Sequence, residues 1–170
     1  MPIDEYEHSF DHLTESELPS LLANLKEDMG NERAMADFAI DGVGVATLCR
    51  NLELPSDFSG CYVLVENGKP IYVGISRSVL QRLRQHVRGS THFDASLAYR
   101  IAAKRTPHKH TRSVAMEKED FKMEFDWAKD YLRSLNVAYV RIPNPLVLYV
   151  FEPYCAMHFD TSEWNTFETH

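Results

Sequence analysis

The sequence predicts an α+β fold, a small three-stranded antiparallel sheet flanked by helices, with a mainly helical extension at its N-terminus. Three observations carry that prediction. Val63-Leu64-Val65 and Ile71-Tyr72-Val73 are short β-branched and aromatic runs on either side of Asn67-Gly68, the signature of a hairpin. Val137-Ala138-Tyr139-Val140-Arg141-Ile142 is a further run of the same kind and supplies the third strand. Around these runs, apolar residues recur at helical spacing.

The hairpin leaves a choice of register. Side chains alternate along a strand, so the loop length decides whether Tyr62 and Tyr72 share a face. A two-residue Asn67-Gly68 turn pairs Glu66 with Lys69 and sends the two phenols to opposite faces. A three-residue loop with Gly68 in the left-handed region pairs Val65 with Lys69 and sets Tyr62 across from Tyr72. The first is the commoner default; the second is required if both tyrosines serve one site. Pro70 cannot donate to a ladder, which assigns it to a free edge or a bulge.

The helices follow in order. Leu18, Leu21, Leu22, Leu25 and Met29 form one apolar stripe, with Ser16 and Glu17 as start signals. Residues 34–52 read as another helix interrupted around Gly42-Val43-Gly44. Residues 1–55 are therefore expected to be an acidic helical extension, and residues 56–170 the main domain. After the hairpin, Ser76 or Ser78 caps a helix running to about Val87, with Val79, Leu80, Leu83 and Val87 as its stripe. Arg82 and His86 fall together on one border of that stripe, and Arg77, Arg84 and Arg88 toward the other side. A border position predicts that Arg82 and His86 are half-buried; a solvated helix edge is the plain alternative to a functional pair.

Residues 95–104 fit a second helix, Thr106-Pro107-His108-Lys109-His110-Thr111 a polar loop, and residues 117–135 a long helix with Phe121, Phe125, Ala128 and Leu132 inward. Asn144 and Pro145 begin the last helix, on which Leu148, Phe151, Cys155 and Phe159 share a face.

Charge narrows the function. The chain of 170 residues carries a formal net charge of −7, which argues against a simple nucleic-acid binder. Its distribution argues the other way. Residues 69–112 hold ten Lys and Arg against one acid, Asp94, whereas residues 1–59 hold three against thirteen and residues 113–170 five against ten. Such a footprint suits a phosphate backbone, with Arg77, Arg84, Arg88, Lys104, Arg105 and Lys109 as the contacts expected. The plain alternative is a basic surface that faces the acidic remainder of the molecule.

Three cysteines, Cys49, Cys61 and Cys155, without paired spacing suit a reducing compartment, with the cytoplasm as default. The start lacks the pattern of a signal peptide, and no apolar run approaches membrane-spanning length. His108 and His110, two apart, would diverge on a helix, so no structural zinc is expected there.

Gly60-Cys61-Tyr62, Tyr72-Val73-Gly74, Arg82 in the helix that follows, and Glu152 with Asn165 near the end stand in an order that resembles the GIY-YIG nuclease family. His86, one turn after Arg82, is similar to the restriction-endonuclease-like branch of that family. The resemblance covers roughly residues 60–170 and agrees with the fold read from the strands and helices. It implies a metal-dependent endonuclease that hydrolyses DNA phosphodiester bonds, with Tyr62, Tyr72, Arg82, His86, Glu152 and Asn165 in the catalytic set. Pro153 departs from the family pattern and puts the aim of Glu152 in question, because a proline inside a helix costs ~3 kcal/mol unless the helix kinks or restarts. Cys61 stands where the family has an aliphatic residue, a small change for a buried thiol.

The chemistry fits those residue types. Glu152 lies in the apolar run Val147-Leu148-Tyr149-Val150-Phe151, where an uncompensated carboxylate is costly; it pairs either with an arginine or with a metal. One divalent ion, Mg²⁺ or Mn²⁺, held by Glu152 would polarise the phosphate. Arg82 would grip a phosphate oxygen through its planar fork. Tyr62 or Tyr72 would accept the proton of water, with His86 as relay, and a free phenol with a pKa of ~10 needs nearby cations to do so at neutral pH. Asn165 would fix Glu152 or Tyr62, or simply act as a cap. A homodimer would suit the cutting of both strands. Two other classes fit the same chain: an inactive nucleic-acid-binding module, and a protein-interaction domain working through its acidic N-terminal region.

Overall fold

The computed structural model describes residues 2–168. Its strands are β1 (Arg33–Ala34), β2 (Gly60–Glu66), β3 (Lys69–Ser76) and β4 (Asn136–Arg141). Its helices are α1 (Phe10–His12), α2 (Leu18–Asp28), α3 (Val45–Asn51), α4 (Val79–Arg88), α5 (Ser96–Arg105), α6 (Arg112–Met116), α7 (Glu119–Arg133) and α8 (Pro145–Phe159). The fold is α+β as expected, but the sheet has four strands rather than three, in the order β1-β4-β2-β3. The extra strand is two residues long, too short to show the alternation by which a strand is read from sequence.

The chain forms two compact units. The first comprises Met1–Arg33, Asp57–Val79 and Asn136–His170 and contains the hairpin, β4, α2 and α8. Alternation divides its strands into two faces. Cys61, Val63, Val65, Val73, Ala138 and Val140 pack into one core with Leu18, Leu22 and Leu25 of α2 and Val147, Leu148, Phe151, Cys155 and Ala156 of α8. Each Val, Leu or Phe side chain among these withdrawn from water contributes about 1.5–3 kcal/mol. The end of α2 is tied to β4 by charge. Arg33 donates to both carboxylate oxygens of Asp28, at 2.7 and 3.1 Å, and lies 4.1 Å over the Tyr139 ring, while Asp28 accepts from the Tyr139 amide.

The hairpin resolves its register in a third way. Glu66 pairs with Lys69 across a two-residue turn, with Asn67 and Gly68 both at positive φ, as a type I′ turn requires. Val65 then pairs with Pro70, but Leu64 pairs with Tyr72, so Ile71 is an extra residue, a β-bulge. The bulge changes the parity that the short turn had set. Tyr72 stands opposite Leu64 and Tyr62 opposite Gly74, which puts both phenols on the face away from the α2/α8 core. Pro70 adjoins the bulge on an edge strand, where its missing N–H is tolerated.

The second unit comprises Ala34–Ser56 and Leu80–Leu135. A 3-10 turn, Met35–Ala39, is pinned by the Met35 amide to the Leu135 carbonyl at 2.9 Å. The interruption expected near Gly42 is present: Gly42 adopts φ +75° and Gly44 precedes the first residue of α3. α5 packs on α7, whose Phe121, Phe125, Ala128 and Leu132 are buried as the spacing predicts. Tyr99 joins them, its ring 5.2 Å from Phe121 and its hydroxyl 3.1 Å from His108 Nε2. No helix among the described residues is long and apolar enough to cross a membrane.

Candidate active site

Tyr62 and Tyr72 lie with ring centroids 6.3 Å apart on the sheet face that the bulge creates. Tyr62 is buried at the centre of the sheet, and Tyr72 is half-buried on the edge strand. The Tyr62 ring lies over Gly74. A Cβ there would collide with its Cζ and hydroxyl and would approach its Cε2 to 2.8 Å. The second glycine of the tyrosine motifs therefore has a steric reason: the cross-strand neighbour of Tyr62 must have no side chain for the phenol to lie down.

Asn165 acts on the same strand. Its Oδ1 accepts from the Val73 amide at 2.9 Å, and its Nδ2 donates to the Val73 carbonyl at 2.8 Å. The carboxamide thus pairs with the outward edge of β3 as another strand would, one residue beyond Tyr72. Neither Glu152 nor Tyr62 is its partner in these bonds. The chain reaches that position because α8 ends at Asp160, in the left-handed conformation at φ 52°, and Thr161 turns back to the Ala156 carbonyl at 3.1 Å.

α8 begins as the sequence predicts, with the Asn144 side chain accepting from the Val147 amide at 3.1 Å and Pro145 in the first turn. It runs unbroken through Pro153 to Phe159. The hydrogen bond that Pro153 lacks belongs to the carbonyl of Tyr149, an exposed residue, where water can replace it. Glu152 precedes Pro153 on the same continuous helix and is partly buried. Burial raises its carboxyl above the ordinary range. It makes no hydrogen bond or ion pair among the described residues, and its charge is felt by Cys61, whose thiol is pushed up by burial first and by Cys155 and Glu152 after it. An uncompensated, partly desolvated carboxylate fits a divalent cation. No cluster of three or more His, Cys, Asp or Glu accompanies it among the described residues. Glu152 would be the one protein carboxylate available to such an ion, and water and phosphate oxygens would have to complete its coordination.

Arg82 and His86 belong to the second unit. Arg82 is half-buried, as its border position predicts, and its guanidinium is bonded within that unit. Nη1 donates to the Asp94 carbonyl at 2.9 Å and to Gln85 Oε1 at 3.3 Å, and Nη2 donates to Ser96 Oγ at 2.8 Å. Two of its five N–H groups thereby hold the entry to α5, a third is engaged by Gln85 of its own helix, and two are left for another acceptor. His86 departs from the expected half-burial and is fully buried. Burial first, then Arg82 and Arg100, lower its pKa to about 3. It is neutral at physiological pH.

The basic residues differ in what they offer. Arg88 donates to Asp41 at 2.6 Å and to the Ala39 carbonyl at 2.7 Å. Arg105 lies 3.7 Å over the Trp127 ring and is paired with Glu124 at 2.7 Å. Arg77, Arg84 and Lys109 have no ion pair among the described residues, and Arg84 Nη1 is a buried donor without a partner. Sequence reasoning passed over the Val73 peptide and Gly74; only the cross-strand register could have exposed them.

Residues 58–128 match the family model of the GIY-YIG catalytic domain. No curated protein and no solved structure matches the chain.

Proposed function

We propose, from the match of residues 58–128 to the GIY-YIG catalytic domain, that the chain is a metal-dependent endonuclease that hydrolyses DNA phosphodiester bonds. Nuclease activity and the use of a divalent ion are general to the family domain; DNA as substrate, and Mg²⁺ or Mn²⁺ as the ion, are our reading. The observation that carries it is the bulge at Ile71, which turns Tyr72 onto the face of Tyr62 and so gives one surface two phenols.

Tyr62 and Tyr72 are read as the groups that orient water and take its proton. Asn165 is read as a positioning residue, because its bonds to the Val73 peptide hold the strand next to Tyr72. Glu152 would hold the cation, which when bound supplies Lewis-acid polarisation of the phosphate. Arg82 would use its remaining donors on a phosphate oxygen. His86, neutral at pH 7, is read as an acceptor or donor of one hydrogen bond rather than as a source of positive charge. Arg77, Arg84, Arg88, Lys104, Arg105 and Lys109 are read as backbone contacts. The acidic extension, residues 1–55, is read as an appendage to a nuclease domain at 56–170 in function, although α2 shares the core of the sheet. A homodimer would cut both strands of a symmetric site, and the cytoplasm suits the three free cysteines.

A second reading, an inactive nucleic-acid-binding module, is favoured by the bonds that engage Arg82 at the start of α5. One experiment separates the two. Supercoiled plasmid incubated with the protein in Mg²⁺ or Mn²⁺ is expected to be nicked or linearised, and Arg82→Ala and Glu152→Ala, folded by circular dichroism, are expected to lose at least about 100-fold in rate. Full activity of Glu152→Ala would remove the metal assignment. Binding without cutting by the wild type would establish the inactive module.

A further inference from the structure

A cleft of about 500 Å³ opens in the first unit between the end of β3 and the first turns of α8. Ile75, Leu148, Pro143 and Pro145 make its walls apolar, and Ser59, Ser76, Arg77 and Tyr149 complete the lining. Tyr149 lines the cleft and is nonetheless 68 % exposed, so its ring stands at the mouth. Arg77 is exposed and has no ion pair among the described residues. In the first turn of α8 the Asn144 side chain accepts from the Val147 amide, and Pro145 has no N–H. Among the described residues, Arg77 is the one charged residue that lines the cleft and so the group there that favours an anion. Leu148 and Tyr149 stand four and three residues before Glu152, which places the three along one side of the helix within about one turn.

Apolar walls with an aromatic ring at the mouth match the stacking faces of a nucleotide's base, and a guanidinium beside them matches its phosphate. A duplex keeps its bases stacked inside, so only an unpaired or extruded base can enter such a cleft. We propose that this cleft takes one unpaired nucleotide of the nucleic-acid substrate, with the base stacked on Tyr149 and the phosphate held by Arg77, within one helical turn of Glu152. The inference rests on the reading of the protein as a nuclease and deepens it: the preferred substrate contains a single-stranded or distorted position.

The test is fluorescence anisotropy with the full chain carrying Glu152→Gln, in EDTA. The probes are a fluorescein-labelled oligothymidylate single strand and a blunt duplex. Tyr149→Ala is expected to weaken single-strand binding about ten-fold and duplex binding by less than about two-fold, and Tyr149→Phe to restore it. Arg77→Ala is expected to weaken the single strand and to reduce its salt slope by about 1. The cleft assignment is overturned if Tyr149→Ala leaves single-strand affinity unchanged, or lowers both probes equally. Plasmid cutting by the chain with Glu152 intact reads the other claim independently. Cutting with no Tyr149 effect leaves the nuclease and removes the cleft; a Tyr149 effect without cutting keeps the cleft and removes the hydrolytic reading.

Discussion

At the scale of single residues, the chain keeps groups in forms that water would not choose. Glu152 is partly buried without a counter-charge, and burial raises its carboxyl. A raised carboxyl means that folding favours the neutral form, so stability declines as pH rises from the ordinary carboxyl range through the folded value. Glu152→Gln should therefore raise the unfolding temperature near neutral pH by about 2 °C or more while abolishing cleavage. A scanning-fluorimetry measurement in which Glu152→Gln is less stable than wild type would show that the carboxylate is held by a favourable partner instead. His86 has the opposite sign of consequence. Its pKa falls to about 3, against 6.5 for the ordinary imidazole. The unfolded chain takes up a proton below pH 6.5 that the folded chain refuses until pH 3, so His86 contributes stability above pH 6.5 that is lost progressively as pH falls to 3. The full loss is on the order of 5 kcal/mol. Urea unfolding from pH 7 to pH 4 should show a steeper decline for wild type than for His86→Gln; equal slopes would remove the assignment.

At the scale of elements, the site depends on how β3 accommodates one extra residue: as a bulge, not as a one-step shift of the ladder. The turn at Asn67-Gly68 is set by local chemistry and would by itself put the phenols on opposite faces. Ile71 reverses that outcome. Removing Ile71 leaves a regular ladder in which Glu66 still faces Lys69 and Leu64 still faces Tyr72, so the deletion should keep activity within about ten-fold of wild type. Inserting one alanine after Ile71 should instead send Tyr72 to the core face, or force a wider bulge, and cost at least about 100-fold. Both variants are read by plasmid nicking beside circular dichroism. A dead deletion variant with a retained fold would mean that the bulge acts through the Ile71 side chain rather than through parity. The same contrast explains what the sequence could disclose. The start of α8 was legible because Asn144 and Pro145 are chemical signals at fixed positions, and the inward stripe of α7 because its period is long and regular. A bulge has no composition of its own; Pro70 hinted that the ladder was irregular nearby but could not say on which side. β1 escaped notice because two residues have no period. His86 was placed at a border by helical geometry, and its complete burial depends on tertiary packing, which one helix does not contain.

At the scale of the molecule, the question is how many of its cations are available to a phosphate backbone. The ten Lys and Arg of residues 69–112 suggest a strongly salt-dependent interaction, but the net charge is −7 and several cations already have partners. Arg88 is paired with Asp41, and Arg105 with Glu124. Arg77, Arg84 and Lys109 have no ion pair among the described residues. Each phosphate neutralised on a duplex contributes about −0.9 to the slope of log affinity against log salt, so three engaged cations give a slope of about −3. Titrating a labelled duplex between about 50 and 200 mM KCl should return that value. A slope of about −4.5 would mean that Arg88 and Arg105 also leave their carboxylates to bind phosphate. Asp41→Asn tests the point directly. The Asp41 carboxyl is held below its usual range by Arg88 and is almost fully exposed, so its removal releases the arginine without opening the core. Binding should tighten and the slope steepen by about 1. An unchanged slope would place Arg88 outside the nucleic-acid surface and leave its bonds to Asp41 and Ala39 as a structural clamp on α4. A flat salt response in the wild type would count against a nucleic-acid partner altogether, because no backbone contact escapes the release of counterions.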